Sequence, residues 1–163
     1  MIYSVAEQRT LTPFREQVVR QKEKHPDRRD LFLCHAWDDR QDAAKELHDL
    51  LEKQGVSVWF SEKDVQLGTP LNRVIDKGLR NSRVGIVLVT PAMYKSLDAE
   101  GVAEKELSAL LSTDRVIPIT HNTNFEELRD VSPLLASRSG LSTEGSSLEE
   151  VAIKLAETIT TGF

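Results

Sequence analysis

The chain has 163 residues, enough for one domain with an ordinary core, and a net charge of −5 with 39% hydrophobic and 29% charged residues. No apolar run nears the roughly 20 residues a membrane helix needs, and an acidic protein lacks the basic footprint of general nucleic-acid binding. One cysteine, Cys34, leaves no internal disulfide framework and suits a reducing cytoplasm, and the four scattered histidines give no zinc-ligand spacing.

Charge is unevenly spread. Residues 1–29 hold seven Lys/Arg against four Asp/Glu, a net of +3, so the remainder carries −8. This head lacks the apolar stretch of a signal peptide and reads as a helical arm or extension, largely solvated, ahead of a domain spanning 30–163. Thr12-Pro13 is the expected helix start, with Pro at the first helical position, and His25-Pro26-Asp27 the stop.

From Asp30 strands and helices alternate. "LFLCHA" (31–36) is a short apolar strand. The helix expected over 39–54 carries Ala43, Ala44, Leu47, Leu50 and Leu51 on one face, and Gly55 closes it. "VSVWF" (56–60) is the second strand and "SEKDVQLGTP" (61–70) a polar loop. Thr69-Pro70 then caps a helix with Leu71, Val74, Ile75 and Leu79 inward. "RVGIVLVT" (83–90) is the most apolar strand, as expected for the centre of a parallel sheet covered on both faces. Residues 91–100 read as a loop, followed by a helix from Val102 with Ala103, Leu107, Leu110 and Leu111 inward. "RVIPIT" (115–120) is a fourth strand, 121–136 an irregular stretch with one helical turn near Phe125–Leu128, and "SRSGLST" (137–143) a weak fifth strand. Ser147-x-x-Glu150 is a capping box opening the last helix. The pattern predicts an α/β, flavodoxin-like domain: a five-stranded parallel sheet with helices on both faces. Ligands of such sheets sit beyond the C-terminal strand ends.

Several chemistries fail at that edge. After the first strand stands His-Ala-Trp-Asp without glycine, so a Rossmann phosphate turn is absent, and there is no Walker A lysine loop. A phosphoacceptor receiver domain would use Asp38 and Asp39 as its acidic pair. It also needs an aspartate where the third strand ends in Val89-Thr90-Pro91, and a fifth-strand lysine that is missing. Cys34 lies in an apolar strand, and its neighbour His35 must point to the opposite face, so the two form no dyad. What remains are carboxylates: Asp38, Asp39, Glu62, Asp64, Glu100, Glu104 and Glu106. On the helix from Val102, Glu104 and Glu106 flank the apolar face on opposite sides, and periodicity does not choose between them.

Five stretches, in order over roughly 30–160, resemble a bacterial TIR (Toll/interleukin-1 receptor) domain. "DLFLCHAWDDR" is similar to the family's first strand and loop. "ELHDLLEKQGVSVWFSEKDVQLGTPL" is similar to its leucine-rich helix, second strand and BB loop. "VIDKGLRNSRVGIVLVTPAMYKS" is close to its Ile-x-x-Gly-Leu-x-x-Ser-Arg and Ser-Pro-x-Tyr-x-x-Ser run. "EKELSALL" matches its Glu-Leu helix start and "VSPLLASRSGLST" its late segment. The resemblance implies one of two activities. One is an NAD+ nucleosidase that releases nicotinamide and makes ADP-ribose or a cyclic isomer, in bacterial signalling or anti-phage defence, with NAD+ as substrate and no further cofactor or metal. The other is a non-catalytic interaction module assembling through the BB loop, here 61–70, with other TIR or effector proteins as possible partners.

The family's Trp-x-x-x-Glu-Leu motif places the catalytic glutamate at Glu106, before Leu107, with Val102 in the tryptophan's position. Residues 102 and 106 are i, i+4 neighbours on a helix. The same resemblance implies that His35, Ala36, Trp37 and Asp38 line the nucleotide pocket, with Trp37 stacking on a ring. It also implies contributions from Phe60 and Ser61 at the end of the second strand, Leu67 and Gly68 in the BB loop, and Tyr94 and Lys95 near ribose or phosphate.

Overall fold

The computed structural model describes residues 3–60, 71–100, 114–131, 133–136 and 140–160. Helix α1 (Val5–Lys24) leads into strand β1 (Arg29–Cys34), a 3-10 turn (Trp37–Asp39), α2 (Ala43–Lys53) and β2 (Val58–Phe60). Then come α3 (Leu71–Asn81), β3 (Ser82–Val89), α4 (Pro91–Glu100), β4 (Val116–Thr120), α5 (Phe125–Val131), α6 (Pro133–Ala136), β5 (Leu141–Ser142) and α7 (Leu148–Thr160). The strands form one parallel sheet in the order β2-β1-β3-β4-β5, with Leu33 beside Phe60 on one side and Ile86 on the other. The doubly wound flavodoxin-like architecture is therefore the one expected, with β3 central and apolar from Val84 to Val89.

Strand alternation divides the core in two. Leu31, Leu33, Val84, Ile86, Leu88, Ile117 and Ile119 face α1, α2 and α7. Phe32, Cys34, Val87, Val89 and Val116 face the opposite layer, where Val74 and Ile75 of α3, Met93 of α4 and Leu128 of α5 cover them. Cys34 is a buried free thiol in that second layer. Phe32 explains two glycines. A Cβ on Gly78 of α3 would lie 2.4 Å from its ring, and one on Gly85 of β3 2.1 Å from it. The missing side chains let α3 and the sheet close on one aromatic wedge.

Within 121–136, read as an irregular stretch with one helical turn, the structure has the two helices α5 and α6, and three further elements differ from the expectation. Helix α1 does not start at Thr12-Pro13. Its N-cap is Ser4, in a reciprocal capping box with Glu7, and Pro13 lies inside the helix. Nor is it solvated on all sides: Leu11 and Phe14 are 0% exposed and belong to the same core as the strands. Helix α1 covers α7 on one flank while α2 covers the other. That double cover is why α7 buries Lys154, Ala156 and Thr158 along with Leu148, Val151, Leu155 and Ile159. Polar ties lock the pair: Lys154 Nζ donates to Glu7 at 2.5 Å, the Tyr3 hydroxyl donates to Glu157, and Arg15 donates to the Thr158 and Ile159 carbonyls at the end of α7. Those two carbonyls would otherwise be orphaned by the helix end.

Second, Asp39 sits in the 3-10 turn and α2 begins only at Ala43. Third, residues 91–100 are helical rather than a loop. Thr90 Oγ1 accepts from the Met93 N–H at 3.2 Å, an N-cap, and Pro91 occupies the first helical position, where its missing N–H costs nothing.

Candidate functional site

The strand order sets the site. β1 and β3 are adjacent, but the chain leaves them toward opposite layers, α2 on one face and α4 on the other. A crevice opens at their C-terminal ends. From β1 come His35 and buried Ala36, then the 3-10 turn holding Trp37, Asp38 and Asp39. From β3 come Thr90 and the first turns of α4 with Tyr94 and Lys95. Phe60 ends β2, paired with Leu33, and so reaches the same edge. Ser61, Leu67, Gly68, Val102, Glu104 and Glu106 lie outside the described residues.

Asp38 is exposed, whereas Asp39 turns inward and its Oδ2 accepts from Thr90 Oγ1 at 2.5 Å. Thr90 thus takes the Met93 N–H and gives its own proton to Asp39, joining the β1 loop to the start of α4. Burial pushes the Asp39 pKa up, and the Asp38 and Asp42 charges add to this. The Thr90 hydrogen bond and His35 oppose it without cancelling it. His35 Nδ1 lies 2.6 Å from the Ala36 carbonyl, which fixes the ring against its own backbone.

On the other side of α4, the Tyr94 hydroxyl is engaged by Thr123 Oγ1 at 2.5 Å, and Thr123 donates to Glu127 at 2.6 Å. Burial, with the Glu127 charge adding to it, raises the Tyr94 pKa despite the Thr123 bond. Tyr94 therefore braces α4 against the β4–α5 connection, and the Lys95 side chain beside it is exposed.

A cavity of about 530 Å³ sits at this edge, lined by Asp39, Asp42, Ala43, Glu46, Thr90, Pro91, Ala92, His121 and Asn122. Its lining contains three carboxylates and no Lys or Arg, so it is no cradle for a diphosphate. The sequence reading weighed Asp39 as half of a receiver-type acidic pair and as one edge carboxylate among seven, and passed over Thr90 as its partner. The Thr90-Pro91 pair carried the same capping signal that had been read at Thr69-Pro70. Among the described residues no group of three His, Cys, Asp or Glu is placed to hold a metal ion, and no helix is long and apolar enough to cross a membrane.

A doubly wound domain of this strand order, with an acidic β1 loop meeting a capped helix after β3, defines an α/β domain that presents its ligand crevice at the sheet edge. The chain belongs to the TIR domain family, whose model matches residues 31–151. It is 34% identical over 134 residues to the 2′ cyclic ADP-D-ribose synthase AbTIR of Acinetobacter baumannii, covering 80% of this chain and 49% of that protein. It is 32% identical over 131 residues to the NAD(+) hydrolase PdTIR of Paracoccus denitrificans, covering 77% and 42%. The chain thus spans about half the length of these curated relatives or less. Among solved structures, a TIR-STING receptor from C. gigas superposes with a TM-score of 0.59 at 16% identity, over 85% of this chain and 41% of that one. The TIR domains of the activated Roq1 resistosome superpose with 0.57 at 16% identity, over 80% and 99%. These structural likenesses establish the shared fold.

Proposed function

We propose that this TIR domain is an NAD+ nucleosidase that releases nicotinamide and leaves ADP-ribose or a cyclic ADP-ribose isomer, with Glu106 as the essential carboxylate. One observation carries the reading: the chain is 34% identical over 134 residues and 32% identical over 131 residues to proteins named as a cyclic ADP-ribose synthase and an NAD+ hydrolase. Glu106-Leu107 stands where the family's glutamate-leucine pair is expected.

The chemistry needs one carboxylate. The nicotinamide of NAD+ is already cationic and departs without protonation, so the general acid of a two-carboxylate glycosidase has no task. Positive charge then develops on the ribose. A carboxylate accepting hydrogen bonds from the ribose hydroxyls stabilises that charge and holds the ring in place. In this reading His35, Ala36, Trp37 and Asp38 border the nucleotide on the β1 side, and backbone N–H groups there meet the phosphates. Phe60, Ser61, Leu67 and Gly68 border it on the β2 side, and Tyr94, Lys95 and Val102 on the α4 side. The acidic cavity, having no Lys or Arg, is left to the uncharged or cationic parts of the substrate. Self-association through the 61–70 loop completes the site, and the setting is bacterial signalling or anti-phage defence in the cytoplasm.

The test is NAD+ turnover at high protein concentration, wild type against Glu106→Gln, with products separated by HPLC. The expected result is turnover that falls about a hundredfold or more in the mutant, as for loss of one electrostatic stabiliser, and the product peak distinguishes hydrolase from cyclase. Equal turnover in both proteins transfers the role to Glu104. The second reading, a non-catalytic interaction module, is favoured by Val102 in place of the motif's tryptophan. Absence of turnover in an oligomerising wild type would establish it.

A further inference from the structure

We propose that the outer face of α1 is a homodimer surface, on which a second copy of this chain packs its own α1 antiparallel about a two-fold axis near Thr12 and Pro13. This goes beyond the nucleosidase reading and does not depend on it. Helix α1 precedes the stretch matched by the family model, so the surface is a feature of this chain's own extension.

The inner face of α1 is fully used: Thr10, Leu11, Phe14, Val18 and Gln21 are buried against the sheet and α7. Opposite them, Val5, Thr12 and Val19 recur every seven residues, so they form one stripe along the helix with about 10 Å between steps. Val5 and Val19 are 66% and 45% exposed, the large hydrophobics left in water among the described residues. A single exposed valine means nothing. Two on the same stripe of one helix, with β-branched Thr12 midway, make a seam. A shallow groove of about 410 Å³ runs beside Val19, lined by Arg15, Glu16, Arg20 and Glu23 as well.

The charges decide the occupant. Arg9 and Glu16 flank the stripe on one side, one seven-residue step apart, and within the chain neither has an ion pair among the described residues. Antiparallel packing about the helix midpoint sets Val5 against the partner's Val19, and Thr12 against the partner's Thr12. The same operation sets Arg9 beside the partner's Glu16, twice over. The stripe is therefore complementary to itself, which is what a two-fold interface demands. In a parallel pair the two-fold would run along the helices and carry Arg9 and Glu16 of the two copies to opposite sides of the seam, where they would not meet. The 20-residue helix is about 30 Å long. One such helix pair lies at the low end of specific interfaces, near ~1,000 Å², so the dimer is weak and concentration-dependent.

Sedimentation equilibrium of the whole chain from micromolar to near-millimolar concentration tests this. The wild type is expected to pass from monomer to dimer. Val19→Glu should weaken the dimer about tenfold or more with little change in the melting temperature of the monomer, because Val19 lies on the exposed outer face of α1 and outside both core clusters. Arg9→Glu and Glu16→Arg should each weaken association by setting like charges opposite one another, and the double swap should restore it. Three results overturn the proposal: a monomer at every concentration, a dimer indifferent to Val19→Glu, or single swaps that the double swap does not rescue.

Discussion

The Asp39 carboxylate and the Thr90 hydroxyl, 2.5 Å apart, join the loop after β1 to the cap of α4 across the crevice. Because burial raises the Asp39 pKa above its ordinary 3.8, the folded chain holds this proton more tightly than the unfolded one. The group's contribution to stability is therefore present below the ordinary value and lost as pH rises through the raised folded value. Above that raised value the ionised, partly buried carboxylate costs stability. Asp39→Asn keeps an oxygen for Thr90 and removes the charge. Its melting temperature should equal or exceed that of the wild type at pH 7, with the difference shrinking toward pH 4. A variant less stable than wild type at pH 7, with a gap that closes on acidification, would mean that the charge itself strengthens the Thr90 bond beyond its desolvation cost.

Phe32 and its two glycines give a second expectation. A methyl at Gly85 would meet the buried ring at 2.1 Å, and Phe32, 0% exposed, has no free direction in which to move. Gly85→Ala should cost about 2–3 kcal/mol in urea unfolding, at the upper end of overpacking penalties. Shortening the wedge should relieve it: Phe32→Leu with Gly85→Ala should lose less than the sum of the two single losses, a coupling readable in a double-mutant cycle. Strict additivity would show that the strand shifts instead of the ring.

Much of this fold was legible because its signals are physical and local. Continuous apolar runs at 31–36 and 83–90 marked strands buried on both faces, and the capping box at Ser147 marked the last helix. Where the reading failed, a stronger cue masked a correct one. Pro13 looked like a helix start, yet Ser4-x-x-Glu7 has the same capping chemistry as Ser147-x-x-Glu150. Residues 91–100 hold only Met93 and Leu97 as larger aliphatic side chains at helical spacing, too thin a stripe to mark a helix, and Thr90-Pro91 was the stronger cue. Burial of Lys154 could not be read at all, since it depends on α1 lying across α7, a long-range relation with no local trace. The site was less legible than the fold. Periodicity left Glu104 and Glu106 equal, and only family resemblance separated them.

Glu7 and Lys154 offer a test of how firmly α1 is held. Their side chains are 24% and 11% exposed, so the pair is shielded but not dry. Burial acts to raise the Glu7 pKa, but the hydrogen bonds from Lys154 and Ser4 and the Lys154 charge outweigh it and hold the group below its ordinary 4.5. The stabilisation is therefore present above that value and lost as pH falls through the lower folded one. Glu7→Gln can keep its one side-chain oxygen on the Ser4 N–H and so preserve the capping box, while the oxygen that accepts from Lys154 is replaced by an amide NH2 and the charge is lost. It should cost about 1 kcal/mol at pH 7 given the partial solvent access. That cost should fade in acid, where the wild type loses the same charge. An undiminished cost in acid would assign the effect to packing rather than to the ion pair.

Val102 carries the last expectation, which belongs to the proposed reaction. It stands four residues before Glu106, where the family's motif has tryptophan. An indole there would wall the nicotinamide ribose and keep water from the developing cation, strengthening the attraction of the Glu106 carboxylate as the local dielectric falls. Val102→Trp should therefore raise kcat for nicotinamide release by roughly tenfold, equivalent to about 1.4 kcal/mol of barrier. It should leave the double variant with Glu106→Gln as inactive as Glu106→Gln alone. A rise in kcat that survives loss of Glu106 would place the indole's effect on substrate binding or on water exclusion alone. An unchanged kcat would mean that another side chain already closes that wall, and Trp37, on the 3-10 turn after β1, is the first to replace in turn.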